Sequence, residues 1–213
     1  MSYDIFICGV GGQGLVLLTS VIGNACAKSG KNAITGEMYG LSQRSGTVFV
    51  HMRIGEDAFS PLITPGRADI LVALESIEAL RYIEFLKKGG IVLMSKRIMH
   101  PPIETARLIK DKNERYITLK EIVERLNGWT PNIAQVDALE LARESGNINT
   151  ENTVFLGCMS ALEEFPIDEQ SLKESIIEIV PKKTVDQNLK AFDLGKSSAY
   201  NSLCSQIACK KLI

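Results

Sequence analysis

Y-D-I-F-I-C-G-V-G-G-Q-G, residues 3 to 14, begins as a buried strand at Ile5 to Cys8 and runs directly into glycines at 9, 11, 12 and 14. An apolar-rich helix follows from Leu15. Glycine at several turn positions permits positive φ and lets the backbone come close to whatever lies above it. The helix start aims its unpaired N–H groups and positive dipole end at the same spot. Together they form a candidate anion cradle. Gly9-x-Gly11-x-x-Gly14 also satisfies the dinucleotide fingerprint, with the strand before it and the helix after it that the fingerprint requires. The same residues serve equally as a tight turn that packs closely and binds nothing. Gln13 places an amide where the helix start would face a ligand, and that amide could instead bond a partner chain.

Outward from this stretch, Leu15, Leu18, Val21, Ile22 and Ala25 fall at helical spacing up to Lys28, with Gly30 placed for a C-terminal cap. Asn32 to Thr35 reads as a short second strand ending at Gly36-Glu37. In a nicotinamide enzyme an acidic residue at the position of Glu37 would hold the ribose hydroxyls. Met38 to Gly46, M-Y-G-L-S-Q-R-S-G, then reads as a polar loop where a second crossover unit would need a helix. Gln43 and Arg44 are its candidate polar contacts, Arg44 either as a fork for carboxylate or phosphate or as a solvated loop residue. Thr47 to Ile54 alternates like a strand, with His51 and Arg53 on the parity of Thr47 and Phe49. No acidic orienter stands at a spacing that would make His51 a base, so it reads as a satisfied structural group, and His100 reads as loop.

Ile70 to Leu74 is a continuous apolar strand of the doubly covered, parallel kind. A helix from about Ile77 to Lys88, a stop at Gly89-Gly90 and a strand at Ile91 to Ser95 complete a strand–helix–strand unit. Glu75 and Ser76 read as the cap of that helix. Thr118-x-x-Glu121 is a capping box for a helix from Lys120 to Leu126. Trp129 to Val136 contains a last short strand, and Asp137 opens a helix through Glu144. Asn152 to Leu162 is apolar enough for a packed helix, capped by Thr150 or Asn152, with Gly157 marking a close helix contact. Ser171 to Val180 is another helix, interrupted by Pro181. The apolar positions from Thr184 to the end, Val185, Leu189, Phe192, Leu203, Ile207 and Leu212, are too many for a solvated tail. The chain is therefore read as an α/β, Rossmann-like three-layer sandwich with a mainly parallel sheet over 1–180. A helical extension over 181–213 packs on the same domain or on a partner.

A formal net charge of −1 over 213 residues gives no basic footprint for nucleic acid. No apolar run reaches the length of a membrane span and no basic region precedes an apolar one at the start, so a soluble cytoplasmic protein is expected. The five cysteines, at 8, 26, 158, 204 and 209, contain no Cys-x-x-Cys pair, so neither a zinc site nor an iron–sulfur run is expected and all five read as reduced thiols.

Several separated motifs now stand in order: G-V-G-G-Q-G at 9–14, E-M-Y-G-L-S-Q-R-S-G at 37–46, V-H-M-R at 50–53, S-P-L-I at 60–63 and A-D-I-L-V-A-L-E at 68–75. N-T-V-F-L-G at 152–157 and N-L-K-A-F-D-L-G at 188–195 follow them. Together they resemble the gamma-type component of the 2-oxoacid:ferredoxin oxidoreductases, nearly end to end. Size and motif order are most similar to the beta subunit of the indolepyruvate branch, with two departures. Ser45 stands where the family's loop usually reads Arg-Gly-Gly, and Tyr39 where that branch often has histidine.

The resemblance implies CoA-dependent oxidative decarboxylation of a 2-oxoacid to an acyl-CoA, with two electrons passed to ferredoxin. Thiamine diphosphate, magnesium and [4Fe-4S] clusters are then expected on a larger partner subunit, because this chain has neither a Gly-Asp-Gly segment nor a cysteine run. No catalytic residue is assigned here. Gly9, Gly11, Gly12, Gln13, Gly14, Glu37, Gln43 and Arg44 are the expected contacts with an anion, with CoA or with the partner. The isolated chain is expected to pair with itself. Two rival readings remain: an NAD(P)-dependent dehydrogenase, supported by the fingerprint and Glu37, and a purely non-catalytic docking subunit.

Overall fold

The structure is a computed structural model and describes residues 2–40, 46–99, 115–205 and 207–210. Strand β1 (Tyr3–Val10) is buried throughout after Tyr3. Its side chains alternate between two cores, Ile5 and Ile7 on one face and Phe6 and Cys8 on the other. Helix α1 (Leu15–Lys28) follows, then β2 (Ala33–Tyr39), β3 (Thr47–Ile54) and β4 (Ala68–Ala73). Next come α2 (Ser76–Arg81), β5 (Leu86–Ser95), α3 (Leu119–Leu126), β6 (Ile133–Val136) and α4 (Ala138–Ser145). The chain closes with α5 (Glu151–Ala161), α6 (Glu169–Ile179) and α7 (Val185–Ser202). The strands lie in the order β2-β3-β1-β4-β5-β6. β1, β4, β5 and β6 are parallel, and β3 runs antiparallel to both of its neighbours. Helices α1 and α4 to α7 cover one face and α2 and α3 the other, which gives the expected three-layer α/β arrangement.

The capping signals at Thr118, Asp137 and Glu75 act as the sequence indicates, whereas Thr150 opens its helix without a side-chain cap bond among the described residues. Thr118 and Glu121 form a reciprocal capping box, and the Asp137 side chain accepts from the Glu140 N–H. Glu75 caps α2 by accepting from the Glu78 N–H, and it also takes the Met99 N–H at 2.8 Å. The final amphipathic segment forms α7, which packs along α5 and α4 of its own chain. Every residue of α5 after Glu151 is buried, and Gly157 lies against α7.

Three expectations are corrected. The second strand runs on to Tyr39, because Met38 and Tyr39 pair with Phe49 and Val48 of β3. The helix expected to reach Lys88 stops at Arg81. The carbonyls of Glu84 and Phe85 accept from the N–H groups of Gly66 and Arg67, and Leu86 already pairs with Ala68. Strand pairing thus takes the backbone groups that a longer helix would have used. Only Cys8, Cys26 and Cys158 are free thiols, since Cys204 and Cys209 form a disulfide where the chain doubles back after α7.

His51 is the structural group its sequence context indicates. It is buried on β3 and packs edge-on against the stacked rings of Phe6 and Phe85, and its Nδ1 accepts the Ile63 N–H at 3.1 Å, which pins the S-P-L-I segment. Burial lowers its pKa from the usual 6.5. A folded-state pKa below the unfolded one means that stability is complete above about 6.5 and is lost as the pH falls toward the folded value. His51→Asn keeps an acceptor and does not titrate, so it is expected to flatten the fall in melting temperature between about pH 6.5 and 5. Superimposable profiles for wild type and variant would remove His51 as the cause.

Candidate functional site

After Val10 the chain turns through Gly11 to Gly14 into α1. Gly12 and Gly14 take φ values of 97° and 76°, and Gly14 is the N-cap of α1, with no side-chain cap among the described residues. Such an uncapped helix start in a glycine turn is the arrangement that receives anions. The turn is held from below by Gln13. Its Oε1 accepts the Val10 N–H at 2.8 Å and its Nε2 donates to the Leu74 carbonyl at 2.8 Å, so the carboxyl ends of β1 and β4 are tied together. The Gly11 N–H donates to the Gly46 carbonyl at 2.9 Å and joins the turn to the entry of β3. Asn152, buried in the first turn of α5, donates its Nδ2 to the Gly14 carbonyl at 3.1 Å. Space is tight: a Cβ on Gly9 would stand 2.6 Å from Gln13 Oε1, and one on Gly14 would stand 2.7 Å from Asn152 Nδ2.

Two clefts open on the turn. One, of about 610 Å³, is walled by Arg97, Arg143 and Asn149. The other, of about 440 Å³, is bordered by Val16, Tyr39 and Val48. Arg97 donates from Nη1 to Glu151 Oε1 at 2.7 Å. The second oxygen of Glu151 is buried without a partner among the described residues, and burial pushes this carboxyl up against the opposing pull of Arg97. Arg143 reaches Glu140 at 3.2 Å on an exposed flank. An anion placed at the start of α1 would therefore meet two guanidinium groups on one side and an apolar wall on the other.

The glycines at 9, 11, 12 and 14 come together with Gln13, whose amide bonds inward. Glu37 does not join them. β3 occupies the place beside β1, so Glu37, paired with Val50, lies two strands away, and its carboxylate accepts from the Tyr39 hydroxyl. A dinucleotide fold needs that acid on the parallel neighbour of β1. Gln43 and Arg44 lie outside the described residues. Arg97, Arg143 and Asn152 were not found by sequence reasoning. They come from the loop after β5, from α4 and from α5, and no local spacing connects them to the turn.

Residues 4–198 match the family described as pyruvate ferredoxin/flavodoxin oxidoreductase, POR. The chain is 40% identical over 204 residues to the indolepyruvate oxidoreductase subunit IorB of Thermococcus kodakarensis, covering 94% of this chain and 98% of that one. It is 38% identical over 207 residues to the IorB of Archaeoglobus fulgidus, covering 97% and 100%. Among solved structures, the gamma subunit of a keto/oxoacid ferredoxin oxidoreductase from Geobacter sulfurreducens shares the fold. Its TM-score is 0.67 at 24% identity, over 93% of this chain and 99% of that one. The uncapped glycine turn thus sits in a fold and a sequence that agree from end to end: the chain belongs to the pyruvate ferredoxin/flavodoxin oxidoreductase family, as a small subunit of a 2-oxoacid:ferredoxin oxidoreductase.

Proposed function

We propose that the cytoplasmic complex containing this chain oxidises an aromatic 2-oxoacid, indolepyruvate foremost. The 2-oxoacid and CoA would give an acyl-CoA, carbon dioxide, one proton and two electrons, the electrons passing to ferredoxin. The observation that carries the substrate is the likeness to subunits named for indolepyruvate, which extends over nearly the whole of both chains. Thiamine diphosphate, magnesium and [4Fe-4S] clusters would belong to the large partner subunit and would supply decarboxylation and electron transfer there. This chain would hold the co-substrate. A phosphate of CoA would sit at the start of α1, in the cleft lined by Arg97 and Arg143; Gln43 and Arg44 are proposed as further contacts with the co-substrate or the partner. The position of β3 between β1 and β2 weighs against a nicotinamide dehydrogenase. No helix among the described residues is long and apolar enough to cross a membrane.

Anaerobic co-purification with the large subunit provides the test. The complex is expected to form acyl-CoA from indolepyruvate and to reduce ferredoxin, with 2-oxoglutarate a poor substrate. Arg143→Met is expected to raise the KM for CoA about tenfold, in line with one lost charge-assisted hydrogen bond, while the subunits stay together. Arg97→Lys, which retains a partner for Glu151, should produce a smaller rise in the same constant. An unchanged KM in both variants would move the co-substrate elsewhere, and turnover of 2-oxoglutarate in preference to indolepyruvate would overturn the substrate.

A further inference from the structure

A third cavity, of about 550 Å³, lies at the other end of β1 from the glycine turn, where Phe165 packs edge-on against Tyr3 with ring centroids 6.1 Å apart. Its walls are Phe165, Pro166 and Tyr200, and two ammonium groups face it, Lys196 and Lys210. The volume falls within the range of small-molecule sites, roughly 300–1,000 Å³.

The two lysines differ in how they are balanced. Lys196 forms an ion pair with Glu169, which also binds Lys173. Lys210 has no ion pair among the described residues. Its Nζ donates to the Ile167 carbonyl at 3.0 Å and stands 5.7 Å from the centre of the Phe165 ring. Burial is the largest influence on its pKa and lowers it, and the nearby charge of Lys196 adds to this, while the carboxylates of Asp168 and Glu169 pull the other way without overcoming it. The net lowering means that burial outweighs these two carboxylates, so an anion brought directly against Nζ would relieve a cost that the fold leaves in place.

The fold nonetheless fixes Lys210 there from several sides. Its N–H donates to the Ala161 carbonyl at 2.9 Å and its carbonyl accepts the Tyr200 hydroxyl at 2.8 Å. The preceding residue, Cys209, is bonded to Cys204 and bridges to Leu162. The rim also carries Asp168 and Glu169, which would repel a second negative charge, so the cavity suits a monoanion better than phosphate. The ring and proline walls suit a hydrocarbon body.

We propose that this cavity binds a small organic carboxylate, whose charge is taken by Lys210 with Lys196 beside it and whose apolar body lies against Pro166 and Tyr200. The site is separate from the glycine turn. It is tested on the full-length chain by titration calorimetry and ligand-detected NMR, using hexanoate and benzoate as probes and acetate and inorganic phosphate as comparators.

Hexanoate or benzoate is expected to bind saturably and at least tenfold more tightly than acetate or phosphate. Lys210→Met should weaken that binding at least tenfold, Lys210→Arg should retain most of it, and Arg143→Met should leave it unchanged. Lack of saturable binding by either organic probe overturns the proposal. So does undiminished binding in Lys210→Met, or phosphate binding as tightly as hexanoate. If Lys210→Met fails to fold, competition decides: phosphate displacing bound hexanoate at equal concentration counts against the proposal, and failure to displace it counts in favour.

Discussion

Gly157→Ala is expected to lower the free energy of unfolding by about 3 kcal/mol, at the upper end for an overpacked core, and to depress the melting temperature accordingly. Helices α5 and α7 meet backbone to backbone at this point. A Cβ at 157 would stand 2.0 Å from the Phe192 carbonyl oxygen and 2.9 Å from the Lys196 nitrogen. A Cβ at 195 would meet the Val154 carbonyl oxygen at 2.0 Å. None of these obstacles is a side chain that can rotate away, so the two helices must separate. Separation loosens the buried Phe155 and Phe192 as well as the contact of Cys158 Sγ with the Gly195 carbonyl. Gly195→Ala should have a similar effect. The double variant should lose less than the sum of the two, because one separation accommodates both methyl groups. Urea unfolding measures all three, and a loss below about 1 kcal/mol in either single variant would show that the helices yield more readily than the contact implies.

Gln13→Ala is the second large effect, and it falls on the site. The substitution leaves the Val10 N–H and the Leu74 carbonyl without their partner at the carboxyl edge of the sheet. A partly buried pair orphaned in this way costs about 2 kcal/mol. The glycine turn also loses the strut that fixes its shape, so the KM of the complex for CoA is expected to rise at least tenfold. Gln13→Glu separates the two contributions. Its carboxylate can still accept from Val10 but meets the Leu74 carbonyl as a second acceptor, so it should fall between wild type and Gln13→Ala in both stability and KM. Near-wild-type KM in Gln13→Ala, combined with a clear loss of stability, would make the amide a fold brace with no bearing on the co-substrate.

How far the sequence reaches depends on the range of the forces involved. The β1 turn, the caps at Thr118 and Asp137, and the glycine at 157 are local or steric signals, and each is found in place. The end of α2 is not local, because it is set by pairing of Leu86 with Ala68 across the sheet. Glu37 misleads for a similar reason. Its spacing from the glycine turn suits a dinucleotide site, but strand order decides its neighbours, and β3 intervenes. The Cys204–Cys209 bond depends on a reversal after α7 that helical spacing does not anticipate. Arg97 and Arg143 come to line the cleft beside the turn only through tertiary structure. Of the cleft at the start of α1, then, the glycine turn was legible and the side chains that wall it were not.

The packing of α1 on α6 bears on the order in which the chain is made. Asn24 is bonded to Ser175, Ser29 to Ser171, and Lys28 to Glu178, a separation of 150 residues in the last case. On the ribosome, α1 emerges early and its outer flank stays uncovered until α6 follows. Leu172 and Ile176 of α6 share the core of Val21, Ile22 and Ala25 of α1, so nascent chains stalled before about residue 168 would present an unfinished part of that core and be the ones that chaperones retain or proteases remove. The flank of α1 is thus completed only by a segment made about 150 residues after it.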